Sequence, residues 1–275
     1  MDVFSADWLG ICRRVVSAQQ AIFEQVRGIE ERTRYEGVGE GGDRTLVIDR
    51  RCEDVVFAEL EGLAAQGASF VAISEERGEV CFGSGGEARV VIDPIDGSLN
   101  ARRTIPSHSL SIALARGSSM ADVEFGFVHD FGAGEEFAAQ SGEGATLNGE
   151  PVRVAADAAK LELVGIEAAE PGRALPVLAE LADGVYRLRV VGSIAITASY
   201  VAAGRFDGML SLRPCRSVDA AAAQLIVREA GGEVAFGDDP PDAVGLGLDA
   251  RFPILAAAGE SGLALLRRAQ QGERD

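Results

Sequence analysis

Residues 93–98, with the sequence Asp-Pro-Ile-Asp-Gly-Ser, constrain the fold of this chain more than any other segment. They follow an apolar run at 88–92 that predicts a buried strand. Pro94 lacks the N–H that further strand pairing needs, and Gly97 lets the backbone turn sharply. We therefore expect the two carboxylates of the segment to converge just past the end of a strand.

The oxygen atoms of this segment suit two kinds of ligand. Together with the backbone carbonyl of Ile95, the two aspartates offer the all-oxygen cluster that hard divalent cations require. Gly97 and Ser98 would open the next helix, where free backbone N–H groups suit a phosphate. The alternative is an Asp-rich turn that only caps the helix, and for an isolated pair at this spacing the turn is the commoner case.

Two further acidic positions decide between these alternatives, because they stand at the ends of other predicted elements. An apolar strand over 69–74 leads into Glu75 and Glu76. Asp219 precedes the alanine-rich residues 220–230, which predict a strong helix ended by two glycines. Taken alone, Asp219 is better explained as a helix cap. The matching positions of the acidic residues favour one shared acidic site.

Taken together, these segments resemble the inositol monophosphatase family of Mg²⁺-dependent sugar and inositol phosphatases. The matching motifs are SEERG at 74–78, DPIDGSLN at 93–100 followed by Ile-Pro at 105–106, GEGATLNG at 142–149, RVVGSIA at 189–195 and SVDAAAAQLIVREAGG at 217–232. They occur in family order over residues 5–259, and such an ordered set is far more specific than any single motif.

The resemblance implies an α+β fold, the layered αβαβα sandwich of the sugar phosphatases. The pattern of the chain agrees, because strands dominate from 69 to 154 and strands alternate with helices from 161 onward. A chain of 275 residues suits one large domain or two tightly packed halves. We expect the halves to be 1–158, with most metal ligands, and 159–275, with the last metal aspartate and the substrate contacts.

Two helices are predicted within the first 65 residues, before the first sheet begins. Apolar residues at near-helical spacing predict one long amphipathic helix over 6–34. A loop rich in glycine and glutamate follows at 37–43, and a second helix is predicted over 50–65.

The resemblance also implies the metal ligands. The first Mg²⁺ would bind Glu75, Asp93 and the Ile95 carbonyl, and the second would bind Asp93, Asp96 and Asp219. A third, weaker ion would use Glu75, which gives two or three Mg²⁺ in each active site. Because so many packed carboxylates repel one another unless cations neutralise them, we expect the metal-free site to be strained.

For catalysis, the resemblance implies that bound metals activate a water for in-line attack on phosphorus. Glu75 and Ser98 would be catalytic, with Ser98 held by Asp49 so that it orients the water or takes its proton. Without the family context, Asp49 is as well explained as a cap of the helix predicted at 50–65.

Substrate contacts are also implied by the resemblance, and the set is Asp96, Gly97, Ser98, Gly192, Ser193, Ala195, Arg213 and Arg216. Inositol-specific members carry a Glu seven residues before the last metal Asp, where this chain has Leu212. That region resembles the archaeal-type branch, known for fructose-1,6-bisphosphatase and inositol monophosphatase activity. Arg213 and Arg216 would bind a second phosphate; alternatively, they form surface ion pairs.

Charge and hydropathy exclude other classes of partner. The net charge of −17 argues against binding to nucleic acid or to acidic membranes. The sequence has no apolar run of membrane-spanning length, and the first residues lack a signal peptide's pattern. We therefore expect a cytoplasmic enzyme of small phosphate esters, and the resemblance implies a homodimer. The alternatives are an adenosine 3′,5′-bisphosphate nucleotidase and a non-catalytic member, which would be expected to have lost a metal ligand.

Overall fold

The computed structural model describes residues 1–38, 44–168 and 170–271. The helices within these ranges are α1 (Trp8–Gln25), α2 (Ile29–Arg32), α3 (Val47–Ala65), α4 (Ser98–Arg102), α5 (Pro171–Leu181), α6 (Ile194–Ala202), α7 (Ser217–Glu229) and α8 (Glu260–Gln271). The strands up to residue 152 are β1 (Tyr35–Val38), β2 (Arg44–Leu46), β3 (Phe70–Ser74), β4 (Gly78–Phe82), β5 (Arg89–Asp96), β6 (Ser109–Ala115), β7 (Val123–Asp130), β8 (Glu135–Gln140), β9 (Gly144–Leu147) and β10 (Glu150–Val152). The later strands are β11 (Leu161–Glu167), β12 (Val185–Arg189), β13 (Gly208–Ser211), β14 (Glu233–Ala235) and β15 (Leu255–Ala257).

Two large sheets organise the described chain. The first has the strand order β10-β9-β8-β7-β6-β5-β3-β4, antiparallel except where β3 pairs with β5. The second has the order β12-β11-β13-β15-β14, in which β12, β11 and β13 run parallel. Strands β1 and β2 form a separate antiparallel pair.

The helices lie in three layers around these two sheets. Helices α1 and α3 cover one face of the first sheet, where Val15, Phe57 and Ile92 belong to one buried apolar cluster. Helices α6 and α7 lie between the sheets and contact both. Helices α5 and α8 cover the far face of the second sheet. The predicted αβαβα sandwich is therefore confirmed, while the division at residue 158 stays a prediction.

The middle layer brings α7 unusually close to the first sheet. Its alanines are small and fully buried, so the helix backbone can approach the strands. At the closest point, a Cβ placed on Gly126 of β7 would lie 2.6 Å from the carbonyl oxygen of Ala222. This packing fixes the first turn of α7, and with it Asp219, against the end of β5.

Two predictions about the first 65 residues need correction. The helix predicted over 6–34 ends at Gln25, and a short helix begins again after Gly28. Arg32 folds back onto the carbonyl of Val26, so this segment turns although its apolar spacing continues. The helix predicted from residue 50 begins at Val47. Of the loop predicted over 37–43, residues 39–43 lie outside the described part of the chain, and 37–38 end β1.

Among the described residues, no helix combines the length and apolarity needed to cross a bilayer.

Candidate active site

A β-bulge places Asp93 and Asp96 on the same side of the first sheet. Residues three apart in a regular strand point to opposite faces. Asp93 lies opposite Ser111 of β6, whereas Asp96 lies opposite Ser109, so β5 carries one extra residue between them. A bulge of this kind redirects the side chain that follows it. The prediction that pairing ends at Pro94 is therefore wrong, because β5 pairs with β6 again at Asp96.

The third carboxylate of the cluster comes from the first turn of α7. Asp219 accepts a hydrogen bond from the backbone N–H of Arg216 at 2.8 Å, so it does cap its helix. One oxygen each of Asp93, Asp96 and Asp219 lies within 4.8 Å of the others. Capping and membership of an acidic cluster are thus both properties of Asp219.

Glu75 follows the end of β3 and forms an ion pair at the edge of this cluster. Its Oε1 lies 2.6 Å from Nη2 of Arg216. The same guanidinium nitrogen lies 3.8 Å from Oδ1 of Asp219. Arg216 therefore lies between Glu75 and Asp219 and forms ion pairs with both.

The start of α6 fixes the orientation of Asp96. Its Oδ2 accepts hydrogen bonds from the hydroxyl of Ser193 at 2.5 Å and from the backbone N–H of Ala195 at 2.7 Å. Ala195 is fully buried and contacts the site through this N–H. The residue lies behind Asp96, and its predicted contact with substrate stays a prediction.

Glu167 and Asn100, which were not predicted as site residues, hold the loop that leads into α6. Glu167 is buried and accepts hydrogen bonds from the backbone of Val191 and Gly192 and, at 2.6 Å, from the hydroxyl of Thr197. The Asn100 amide donates to the Val191 carbonyl at 2.8 Å. The available signal for Glu167 was its position directly after the apolar residues 163–166, because a glutamate at the end of a buried strand needs polar partners.

Two cavities that share Leu99 and Arg216 in their walls lie beside Glu75 and the acidic cluster. The first, about 250 Å³, is lined by residues that include Asp49, Glu75, Ile95, Ser98 and Arg216. The second, about 480 Å³, is lined by residues that include Asp96, Glu167, Gly192, Ser193, Arg216 and Asp219. Most of the predicted site residues therefore line one connected region, in which Arg216 borders both cavities.

Asp49 lies on the wall of the first cavity with one oxygen unused. Its Oδ2 accepts a hydrogen bond from the Leu46 N–H at 3.3 Å, so this carboxylate caps α3. Its Oδ1 is buried and finds no hydrogen-bond partner within the described ranges. Ser98 lines the same cavity, but no hydrogen bond joins these two side chains among the residues described. The predicted Ser98–Asp49 contact is therefore not formed in this structure.

Arg213 and Arg216 occupy different environments. Arg213 is 57% exposed and pairs with Glu170 at 2.9 Å, which matches the alternative of a surface ion pair. Arg216 points into the cleft. Leu212 is buried in the core between the second sheet and its outer helices, so this position offers no polar group to a substrate.

Burial and mutual repulsion make the carboxylates of the site hard to ionise. Burial, reinforced by Glu75, Asp96 and Asp219, raises the pKa of Asp93 well above its usual range. Burial and the charge of Asp219 raise the pKa of Asp96 to about 7, against the hydrogen bonds that favour its ionised form. Burial raises the pKa of Glu75 to about 8, although the Arg216 charge opposes this. The donor set is therefore all oxygen, buried and short of positive charge, which fits a hard divalent cation.

These shifts predict how the stability of the metal-free protein depends on pH. The pKa values of Asp49, Asp96 and Glu167 are raised from 3.8 or 4.5 to about 7, mainly by burial. A raised pKa stabilises the folded state below the unfolded value, and this contribution is lost as pH rises through the folded pKa. In EDTA, the free energy of unfolding should fall from about pH 5 to about pH 8. Urea unfolding at both pH values measures it, and a constant or rising value would show that the shifts are absent.

The chain is similar to known proteins in both sequence and fold. A sequence model of the inositol monophosphatase family matches residues 11–264. A fructose-1,6-bisphosphatase/inositol-1-monophosphatase of Methanothermobacter thermautotrophicus is 32% identical over 237 residues, covering 82% of this chain and 83% of that protein. An inositol-1-monophosphatase of Mesorhizobium japonicum is 34% identical over 207 residues, covering 73% of this chain and 75% of that protein.

Solved structures match over nearly the whole chain. The extragenic suppressor protein suhB of Bartonella henselae superposes with a TM-score of 0.78 at 28% identity, covering 97% of this chain and 99% of that one. An inositol monophosphatase-fructose 1,6 bisphosphatase crystal structure superposes with a TM-score of 0.83, covering 96% of this chain and 100% of that one. Its identity is 24%, so this second likeness speaks for the fold alone.

Proposed function

The chain belongs to the inositol monophosphatase family of phosphoric monoester hydrolases, and from that premise we propose that it hydrolyses small sugar or inositol phosphates with the help of Mg²⁺. The observation that carries the proposal is the cluster of Asp93, Asp96 and Asp219, whose oxygens lie within 4.8 Å of one another, with Asp96 and Asp219 lining the second cavity. The homodimer and the cytoplasmic location stay predictions.

We assign the metal ligands to Glu75, Asp93, the Ile95 carbonyl, Asp96 and Asp219. When bound, Mg²⁺ polarises phosphate oxygens and lowers the pKa of a water. The protein contributes the fixed directions of its carboxylates, since the bulge in β5 and the start of α6 hold Asp96 in place. Ligands held in this way need little reorganisation during the reaction.

We assign Asp49 and Ser98 to the attacking water. Both line the first cavity together with Glu75. The unpaired Oδ1 of Asp49 is an available acceptor, and burial and the charge of Glu76 raise its pKa to about 7. A carboxylate with a pKa near neutrality is suited to take a proton from the water or from the Ser98 hydroxyl.

Substrate binding is assigned to the start of α4 and to the loop before α6. Gly97 and Ser98 begin α4, and Gly192 and Ser193 line the second cavity beside Asp219. Arg216 borders both cavities and is the proposed contact of a second phosphate. Arg213 is assigned to the surface because it pairs with Glu170.

We propose that fructose-1,6-bisphosphate is hydrolysed at least as well as inositol-1-phosphate. The M. thermautotrophicus relative carries both fructose-1,6-bisphosphatase and inositol-1-monophosphatase in its name. Position 212 is a buried leucine and not a glutamate, so it offers no carboxylate to accept hydrogen bonds from inositol. Arg216, in contrast, borders the cleft. A missing hydrogen-bonding partner lowers discrimination for a polyol.

Phosphate release from fructose-1,6-bisphosphate, inositol-1-phosphate and adenosine 3′,5′-bisphosphate tests the proposal, each with Mg²⁺ and with EDTA. We expect release with Mg²⁺ only, and a kcat/KM for the fructose ester at least equal to that for the inositol ester. Faster release from the adenosine ester would make the protein a nucleotidase. No release from any ester would favour the non-catalytic alternative.

A further inference from the structure

We propose that Arg216 is the built-in counter-cation of the metal-free active site, and that Mg²⁺ has to displace its guanidinium from Glu75 in order to bind. The inference rests on the proposed function, since it takes Glu75 as a metal ligand. In this inference, Arg216 competes with Mg²⁺ for Glu75. The arginine therefore lowers the affinity of the site for Mg²⁺ and stabilises the metal-free protein.

The first observation is the contact itself. Nη2 of Arg216 lies 2.6 Å from Oε1 of Glu75, and the two side chains are only 17% and 15% exposed. The same Nη2 lies 3.8 Å from Oδ1 of Asp219, and an arginine guanidinium is not deprotonated in proteins. The guanidinium therefore stays charged, and a charged donor at this distance forms a strong hydrogen bond with a carboxylate.

The second observation is where the arginine comes from. Arg216 is the residue that precedes α7, and its backbone N–H donates to Asp219 at 2.8 Å. The same residue thus orients one proposed metal ligand through its backbone and holds another through its side chain. Glu75 and Arg216 are 141 positions apart in sequence, so the pair also joins β3 to α7.

The third observation is the place of the guanidinium in the cleft. Arg216 lines the cavity that contains Glu75 and Ser98, and it also lines the cavity that contains Asp96 and Asp219. The three aspartates form a group with oxygens within 4.8 Å, while Glu75 is held by the arginine. The aspartates of the proposed metal site are therefore already grouped, whereas an oxygen of Glu75 is occupied by Arg216.

Physical chemistry gives the direction of the effect. Ionised carboxylates are costly to bury, so a cation that lies among them when metal is absent stabilises the site. A carboxylate oxygen bonded to a guanidinium is not free for coordination, and an internal competitor lowers apparent affinity by the fraction of time it occupies the site. Metal binding would also free the guanidinium for a phosphate in the second cavity.

The test compares Arg216→Gln with Arg213→Gln, a matched variant three residues away on the surface. Calorimetric titration with Mg²⁺ and thermal unfolding in EDTA are measured for both and for the wild type. For Arg216→Gln we expect roughly tenfold tighter Mg²⁺ binding and a lower unfolding temperature in EDTA. Arg213→Gln should match the wild type in affinity.

Unchanged or weaker Mg²⁺ binding by Arg216→Gln would overturn the inference and leave the proposed function standing. A wild-type protein that binds no Mg²⁺ would instead overturn both. If the glutamine variant does not fold, Arg216→Lys is used, because lysine keeps the charge but loses the planar fork. We expect Mg²⁺ binding by Arg216→Lys to be tighter than by the wild type, and equal or weaker binding would overturn the inference.

Discussion

Replacing Asp93 with asparagine should abolish phosphate release and, at the same time, make the metal-free protein more stable. Asp93 is a proposed metal ligand, and a neutral amide would not neutralise the charge of the cations that the site would hold. We expect kcat/KM to fall by about a thousandfold or more, which corresponds to ~4 kcal/mol of lost transition-state stabilisation.

The gain in stability has a separate cause. Burial and the neighbouring charges of Glu75, Asp96 and Asp219 oppose ionisation of Asp93, so the folded protein keeps this group at a cost that grows with pH. Asparagine removes the charge but keeps an oxygen to accept the Ile95 N–H, which donates to Asp93 at 2.9 Å. In EDTA, the variant should therefore exceed the wild type in unfolding free energy at about pH 8, by more than at about pH 5.

Phosphate release and urea unfolding measure the two effects. Asp183→Asn is the control, because Asp183 is exposed in the loop between α5 and β12 and should change neither quantity. Near-normal turnover by Asp93→Asn would remove this residue from the metal site. A less stable variant in EDTA would mean that the carboxylates of the cleft do not repel one another as the structure implies.

Replacing Gly97 with alanine should destabilise the protein and disable the site. Gly97 has a φ of 86°, a left-handed conformation that is unfavourable for residues with a Cβ. An added Cβ would also lie 2.9 Å from the Gly192 carbonyl oxygen and 3.0 Å from that of Ser107. Both are backbone atoms, so the loop before α6 has to move away from the start of α4.

We expect a loss of about 3 kcal/mol in unfolding free energy, the sum of the backbone cost and the overpacking. Gly97 stands between Asp96 and Ser98, and a misplacement of about 1 Å costs roughly a hundredfold in rate. Gly134→Ala is the matched control, because Gly134 has a φ of 67° and no atom within 4 Å of its added Cβ. That variant should lose only about 1 kcal/mol. Equal losses for the two variants would show that the contact with the 191–193 loop is not tight.

The sequence predicted the acidic cluster because its members stand at the ends of strongly patterned elements. Asp93 follows an apolar run and Asp219 lies in the first turn of an alanine-rich helix. The structure contains both the predicted strand and the predicted helix. The bulge in β5 was not predictable in the same way. Pro94 indicates a loss of pairing, and only the register with Ser109 and Ser111 of β6 shows that pairing resumes.

Other features of the site depend on contacts between distant parts of the chain. Arg216 and Glu75 are 141 positions apart, and no pattern in either segment predicts that they form a pair. Glu167 binds mainly backbone N–H groups of the 191–192 turn, and backbone groups leave no residue pattern to detect. The helix predicted over 6–34 is too long for a different reason. Apolar residues continue at helical spacing past Gln25, although the chain turns before α2 begins after Gly28.

Calorimetric titration of the wild type and of Asp93→Asn with Mg²⁺ is the most direct test of the claim that this acidic cluster is a metal centre. The account predicts that the wild type binds at least one Mg²⁺ per chain and that binding is lost in Asp93→Asn while the variant stays folded. Equal Mg²⁺ affinity in the two proteins, or no binding to the wild type, would contradict it.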